Sequence, residues 1–204
     1  MKLWLIAPVK PFAEGKSRLA TVLSWQQRRA LNQALFHNLL AQAKAAQLFT
    51  GVIAVGRDPQ ILAGVTWDLV QFEQEEKQSL NDALEQGRRR ALLYQADAIL
   101  ILPADLPLLT SADIIQLYQV GKTQPGMVIT PSHDGGTNAL LLHPPQTMPF
   151  AFGQNSFARH CALAKETGLP YQIFESASLS FDLDWPKDLA YLSMVNGQRP
   201  MHNG

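Results

Sequence analysis

Three aspartates, distant in the chain, are the residues best suited to chemistry. Ala98-Ile99-Leu100-Ile101-Leu102-Pro103-Ala104-Asp105-Leu106-Pro107 reads as a buried apolar strand that stops at a carboxylate set between two prolines. Asp105 is thereby placed at a strand's carboxyl end. Phe181-Asp182-Leu183-Asp184-Trp185-Pro186 alternates so that, if extended, Asp182 and Asp184 point the same way. Two carboxylates a pleat apart can share one cation. An all-oxygen donor set without His or Cys suits a hard ion, Mg²⁺ or Mn²⁺, which bridges carboxylates to phosphates. A lone D-x-D also serves as a turn or a helix cap. Its pairing with Asp105 favours metal, so Asp105, Asp182 and Asp184 are the expected ligands.

A second cluster supplies positive charge. Pro8-Val9-Lys10-Pro11-Phe12-Ala13-Glu14-Gly15-Lys16-Ser17-Arg18-Leu19 follows the first apolar run and carries three cations within nine residues. Lys10, Lys16 and Arg18, beside a glycine that lets backbone approach a ligand, suit a triphosphate clamp. Gly15-Lys16-Ser17 matches the end of a P-loop, but that motif needs glycine at position 10, where Lys10 stands. The plain alternative is a solvated basic loop. A metal and these cations would neutralise an α-phosphate and a leaving pyrophosphate while an acceptor phosphate oxygen attacks in line. That acceptor is already ionised near neutral pH, so neither a protein nucleophile nor a general base is required.

Two glycine-bearing segments look like anion seats. Pro131-Ser132-His133-Asp134-Gly135-Gly136-Thr137-Asn138 precedes an apolar run, and Phe152-Gly153-Gln154-Asn155-Ser156-Phe157 precedes a helical segment. Backbone N–H groups at such places bind carboxylate or phosphate, and Thr137 and Ser156 add hydroxyls. An ordinary turn and an ordinary helix cap are the competing readings. His160, one turn after Ser156, reads as a packed or solvated histidine, and Cys161 as core.

The elements that must position these residues follow the βα pattern of an α/β fold. Strands are expected over Leu3–Ala7, Val52–Val55, Asp68–Phe72, Ala98–Leu102, Met127–Thr130, Ala139–Leu142 and Tyr171–Phe174. Helices begin at the capping box Ser24-Trp25-Gln26-Gln27, at Ser79-Leu80-Asn81-Asp82, at Thr110-Ser111-Ala112-Asp113, and with Pro186 in the first turn of a final helix. Nearly every unusual polar residue falls at a strand end, where an open α/β sheet places its ligand crevice. One domain is expected over residues 1–195, with a frayed polar tail over 196–204.

The chain has 204 residues, 47% of them hydrophobic, and seventeen basic against seventeen acidic residues give zero formal charge. No bulk field draws it to nucleic acid or membrane, so phosphate binding must be local. The single cysteine excludes an internal disulfide framework and suits a reducing compartment; the cytoplasm is the expected location. No signal-peptide pattern opens the chain, and no apolar run approaches the roughly 20 residues that span a bilayer.

Pro8-Val9-Lys10 through Lys16-Ser17-Arg18-Leu19, Pro103-Ala104-Asp105-Leu106-Pro107, Gly136-Thr137-Asn138, Phe152-Gly153 with Ser156-Phe157, and Asp182-Leu183-Asp184 with Pro186 and Asp188-Leu189 occur in order from about residue 3 to residue 190. Together they resemble the 2-phospho-L-lactate / phosphoenolpyruvate guanylyltransferases of deazaflavin coenzyme F-420 biosynthesis. The resemblance implies a single-domain nucleotidyltransferase fold, nucleotide-diphospho-sugar transferase-like, with a mostly parallel mixed sheet flanked by helices. It implies GTP as donor, a phosphorylated three-carbon acid as acceptor, and hand-off of the product to the enzyme that consumes it. By the same likeness Asp105, Asp182 and Asp184 match Mg²⁺ ligands, and Thr137, Gly153 and Ser156 match positions holding the acceptor. Lys10, Gly15, Lys16 and Arg18 match the loop that meets the GTP phosphates. Which acceptor is used and which residues select guanine stay open, with Gln78-Ser79-Leu80-Asn81 the expected base or ribose contact. Oligomeric state is open too, a homodimer being common at this size. A glycosyltransferase, which also uses D-x-D, and a non-catalytic nucleotide binder are the rivals; three converging carboxylates that repel one another without metal argue against the binder.

Overall fold

The computed structural model describes residues 1–77 and 79–197, and side chains through Met194. Seven strands form one sheet: β1 (Leu3–Val9), β2 (Phe49–Gly56), β3 (Val70–Gln74), β4 (Ala98–Ile101), β5 (Gly126–Pro131), β6 (Thr137–His143) and β7 (Tyr171–Ile173). Five α-helices accompany them: α1 (Trp25–Ala46), α2 (Leu80–Leu93), α3 (Ser111–Gly121), α4 (Ser156–Glu166) and α5 (Pro186–Gly197). The sheet order is β3-β2-β1-β4-β6-β5-β7, with only β6 antiparallel to its neighbours. A mostly parallel mixed sheet flanked by helices is therefore the observed architecture.

Helix starts follow local hydrogen bonding. Ser24 accepts from the Gln27 amide while the Gln27 side chain accepts from the Ser24 amide, a complete capping box for α1. Thr110 and Asp113 do the same for α3, and Ser79 caps α2. Strand alternation then sorts the core into two layers. Leu3, Leu5, Ala7, Leu100 and Leu141 pack with Phe36 and Leu39 of α1 and Ile114 and Leu117 of α3. Trp4, Ile6, Ile99, Ile101 and Leu140 face Ala83 and Leu84 of α2 and Cys161 and Ala164 of α4. Gly87 lets α2 lie close to β1: a Cβ there would fall 2.7 Å from an Ile6 methyl carbon.

All seven expected strands exist, with shifted ends. Asp68 lies in a turn before β3, and β4 stops at Ile101. Asn196 and Gly197 close α5. The remainder of the expected tail lies outside the described residues.

The topology fixes where a site can form. The chain leaves β1 for β2 and β3 on one side and returns to β4 on the other, so the crevice opens at the carboxyl ends of β1 and β4. Because β6 runs antiparallel, its first residues reach the same edge. Ile101 of β4 is in register with Leu140 of β6, which puts Thr137 and Asn138 beside the turn that carries Asp105.

Candidate active site

A cavity of about 570 Å³ opens at this edge. Of the ten residues expected from sequence, all but Arg18 line it: Lys10, Gly15, Lys16, Asp105, Thr137, Gly153, Ser156, Asp182 and Asp184. Arg18 sits apart, exposed, with its guanidinium 2.9 Å from Asp184 and 4.7 Å over the Trp185 ring.

In the cation loop, Lys16 adopts the left-handed conformation (φ 58°) before a short 3-10 turn, Ser17–Thr21, anchored by buried Leu19. A non-glycine residue held there belongs to the strained positions that collect at functional sites. The Lys16 side chain is turned inward, its Nζ 3.0 Å from Asp105 and 2.9 Å from Asp184. Burial opposes the ammonium, but the two carboxylates outweigh it and hold its pKa above the ordinary lysine value. Gly15 proves to serve packing: the space where its Cβ would stand is filled by the Asn32 side chain, 2.5 Å away. Asn32 in turn donates to the Phe12 carbonyl at 2.7 Å and fixes the loop on α1.

Asp105 meets the later pair through the backbone. The Leu183 amide donates to the Asp105 carbonyl at 3.1 Å, and the Leu183 side chain is wholly buried. Asp182 and Asp184, on either side of it, both line the cavity as the alternation predicts, although the segment forms no strand of the sheet. Asp188 caps α5 by accepting from the amides of Asp184 (2.9 Å) and Trp185 (2.6 Å). Asp182 accepts from Asn138 Nδ2 at 3.2 Å, with His133 Nδ1 at 3.3 Å. Burial pushes the Asp182 carboxyl up, and the charges of Asp105 and Asp134 add to that against the Asn138 bond.

Among the described residues no three carboxylate, imidazole or thiolate groups already stand close enough to hold a cation together. One atom leaves room for one: Asp105 Oδ1 is buried without a hydrogen-bond partner, while Oδ2 of the same carboxylate is held by Lys16. A buried anionic oxygen in that condition is costly unless a cation satisfies it. Burial raises the Asp182 carboxyl despite its Asn138 bond, and oxygen donors alone select a hard ion.

The opposite wall is built on hydroxyls. Ser156 Oγ donates to Thr137 Oγ1 at 3.0 Å, and both residues are buried. For four amides of these segments the expectation of backbone anion seats does not hold. The amides of Gly135, Gly136, Ser156 and Phe157 already donate within the chain, to Ser132 O, Ser132 Oγ, Gly153 O and Gly135 O respectively. Buried N–H groups must find partners, and tight turns supply them. Ser156 is likewise not the helix cap; Asn155, in the left-handed region, holds that place. Gly153, at φ +124°, adopts a backbone conformation open to glycine.

Three side chains organise the site in roles that sequence reasoning did not assign them. Asn81 donates to the Phe152 carbonyl at 3.0 Å and accepts from its amide at 2.8 Å, clamping the acceptor loop to α2. That engagement leaves Leu80 as the cavity-lining residue of the segment expected to contact the base; Gln78 lies outside the described residues. Ser132 orders the Asp134-Gly135-Gly136 turn by donating to Asp134 and accepting from Gly136. His160, set aside as packing, is fully buried and bonded to Thr137. Its four-residue spacing from Ser156 was the available signal.

A lysine loop after the first strand, facing carboxylates from the fourth strand and from the start of the last helix, defines an α/β nucleotidyltransferase. The fold agrees with a crystal structure from Desulfovibrio desulfuricans G20, provisionally described as a nucleotide-diphospho-sugar transferase. It matches with a TM-score of 0.79 at 14% identity, over 100% of this chain and 92% of that one. Residues 3–201 match the family described as guanylyl transferase, CofC-like, and the chain belongs to that family. It is 39% identical to a phosphoenolpyruvate guanylyltransferase of Rubrobacter xylanophilus, over 97% of this chain and 96% of that protein. It is 33% identical to a 2-phospho-L-lactate guanylyltransferase of Methanothermobacter thermautotrophicus, over 93% and 83%. No helix among the described residues is long and apolar enough to cross a membrane.

Proposed function

We propose that this chain transfers GMP from GTP onto the phosphate of phosphoenolpyruvate, releasing pyrophosphate, in deazaflavin coenzyme F-420 biosynthesis. The observation that carries this reading is the near-full-length likeness to the Rubrobacter phosphoenolpyruvate enzyme, joined to a cleft with cations and carboxylates on one side and hydroxyls on the other. The archaeal 2-phospho-L-lactate relative makes that acid the second reading.

In the reaction an acceptor phosphate oxygen attacks the α-phosphorus of GTP, the α–β bridging bond breaks, and pyrophosphate leaves. Lys10 and Lys16 carry the charge of the nucleotide phosphates and stabilise the departing pyrophosphate, with Gly15 shaping their loop and Arg18, outside the cavity, paired to Asp184. Asp105, Asp182 and Asp184 would hold Mg²⁺ or Mn²⁺, which supplies Lewis-acid neutralisation of phosphate oxygens. Thr137, Gly153 and Ser156 orient the acceptor by its carboxylate and phosphate. The Asn81 clamp keeps their loop within reach of the nucleotide. Residues 1–195 make up the catalytic domain.

The test is pyrophosphate release from purified protein with Mg²⁺ and GTP, comparing phosphoenolpyruvate, 2-phospho-L-lactate and 3-phospho-D-glycerate, with ATP and CTP as donor controls. Release with GTP and phosphoenolpyruvate is expected. Preference for another acid moves the acceptor assignment, and silence with all three overturns it.

A further inference from the structure

The acceptor wall contains a histidine whose protonation is dictated by its surroundings. His160 lies on α4, fully buried, with the Phe152 ring edge-on at 4.9 Å. Its Nε2 receives the Ala151 amide at 3.0 Å. A nitrogen that accepts an N–H carries no proton, so a neutral ring keeps its single proton on Nδ1. Nδ1 stands 3.1 Å from Thr137 Oγ1 and is therefore the donor in that bond. Burial, with the nearby Arg159 charge adding, outweighs a backbone hydrogen bond with Ser156, lowers the His160 pKa to about 4 and keeps the ring neutral.

The consequence falls on Thr137. Its oxygen accepts from His160 and also from Ser156 Oγ at 3.0 Å. A hydroxyl has two lone pairs and one hydrogen, and both lone pairs are now taken. The hydrogen is left for the cavity that Thr137 lines. We propose that His160 is a positioning residue for the acceptor: fixed as the Nδ1–H tautomer by the Ala151 amide, it commits the Thr137 hydroxyl proton to the bound anion. This rests on the reading that Thr137 and Ser156 hold the acceptor. With the opposite tautomer Thr137 would donate to the ring and present a lone pair to an anion, which repels it.

The first arm of the test needs no activity. Long-range ¹H–¹⁵N spectra of histidine-labelled wild-type protein at pH 7 are expected to show His160 protonated on Nδ1 and bare on Nε2. An Nε2–H tautomer or an imidazolium overturns the proposal. The second arm is kinetic, with GTP and phosphoenolpyruvate. His160→Leu is expected to raise the KM for phosphoenolpyruvate about tenfold while that for GTP moves less than about twofold. His160→Asn, which keeps an N–H near the Nδ1 position, recovers part of the loss. Adding His160→Leu to Thr137→Val is expected to cost little beyond Thr137→Val alone, because both remove the same donor. Equal changes in both KM values, or additive effects, overturn the proposal. An unchanged phosphoenolpyruvate KM in Thr137→Val would instead sink the acceptor assignment and leave the tautomer result standing.

Discussion

Lys16 and Asp184 lie 168 positions apart and meet at 2.9 Å, with the same ammonium 3.0 Å from Asp105. One cation thus joins the first crossover loop to two carboxylates that would otherwise repel each other. It is also the most enclosed of the three cations that the sequence assigns to the nucleotide phosphates.

Lys16→Met removes that charge at nearly constant length. Turnover is expected to fall by about a hundredfold or more, since stabilising charge is lost where pyrophosphate departs. The variant should also melt lower than wild type at pH 7, with added Mg²⁺ restoring part of the difference through binding to the carboxylates it leaves unpaired. Thermal melts with and without Mg²⁺ check this; a variant that keeps full turnover removes Lys16 from the phosphate site.

Asp182→Asn separates function from stability in the other direction. Burial and neighbouring carboxylates raise the Asp182 pKa, so its ionised form opposes folding at neutral pH. The neutral amide keeps the shape and relieves that charge. Melting at pH 7 should be unchanged or higher, while pyrophosphate release drops more than about a hundredfold. Retained turnover at saturating Mg²⁺ would exclude Asp182 as a ligand.

Ser156→Ala deletes one of the two donors to Thr137 without removing a helix cap, because Ser156 lies inside α4 rather than at its cap position. The KM for phosphoenolpyruvate should rise roughly three- to tenfold, and that for GTP should change little. Equal shifts in both would take Ser156 out of the acceptor pocket.

Stability should fall on the acid side through His160. Its pKa is lowered from the ordinary 6.5 to about 4 by burial. The unfolded chain therefore binds a proton that the folded protein resists between those values. The neutral ring's contribution is fully present above about 6.5 and disappears as pH falls to about 4, a loss on the order of 3 kcal/mol. Denaturant titrations of wild type and His160→Asn across this window should converge toward pH 4; parallel curves would mean that His160 is not buried neutral.

The sequence by itself determined the strands, the helix starts and nine of the cavity's residues. These are local signals: alternation places Asp182 and Asp184 on one side, a serine or threonine followed three residues later by Gln or Asp caps a helix, and a strand that runs into Pro-Ala-Asp exposes a carboxylate at its end. Only the tertiary structure decided what those residues touch. The antiparallel insertion of β6 brings Thr137 to Asp105's edge, and the Leu183–Asp105 backbone bond unites carboxylates from distant segments. Asn32 filling the space at Gly15, Asn81 clamping Phe152, and Arg18 drawn out to Trp185 have no local signature either. His160 is the clearest case. Its spacing from Ser156 was visible in the chain, but its tautomer depends on the Ala151 amide, and hydrogen-bond direction in a buried site is set by which partners the whole fold supplies.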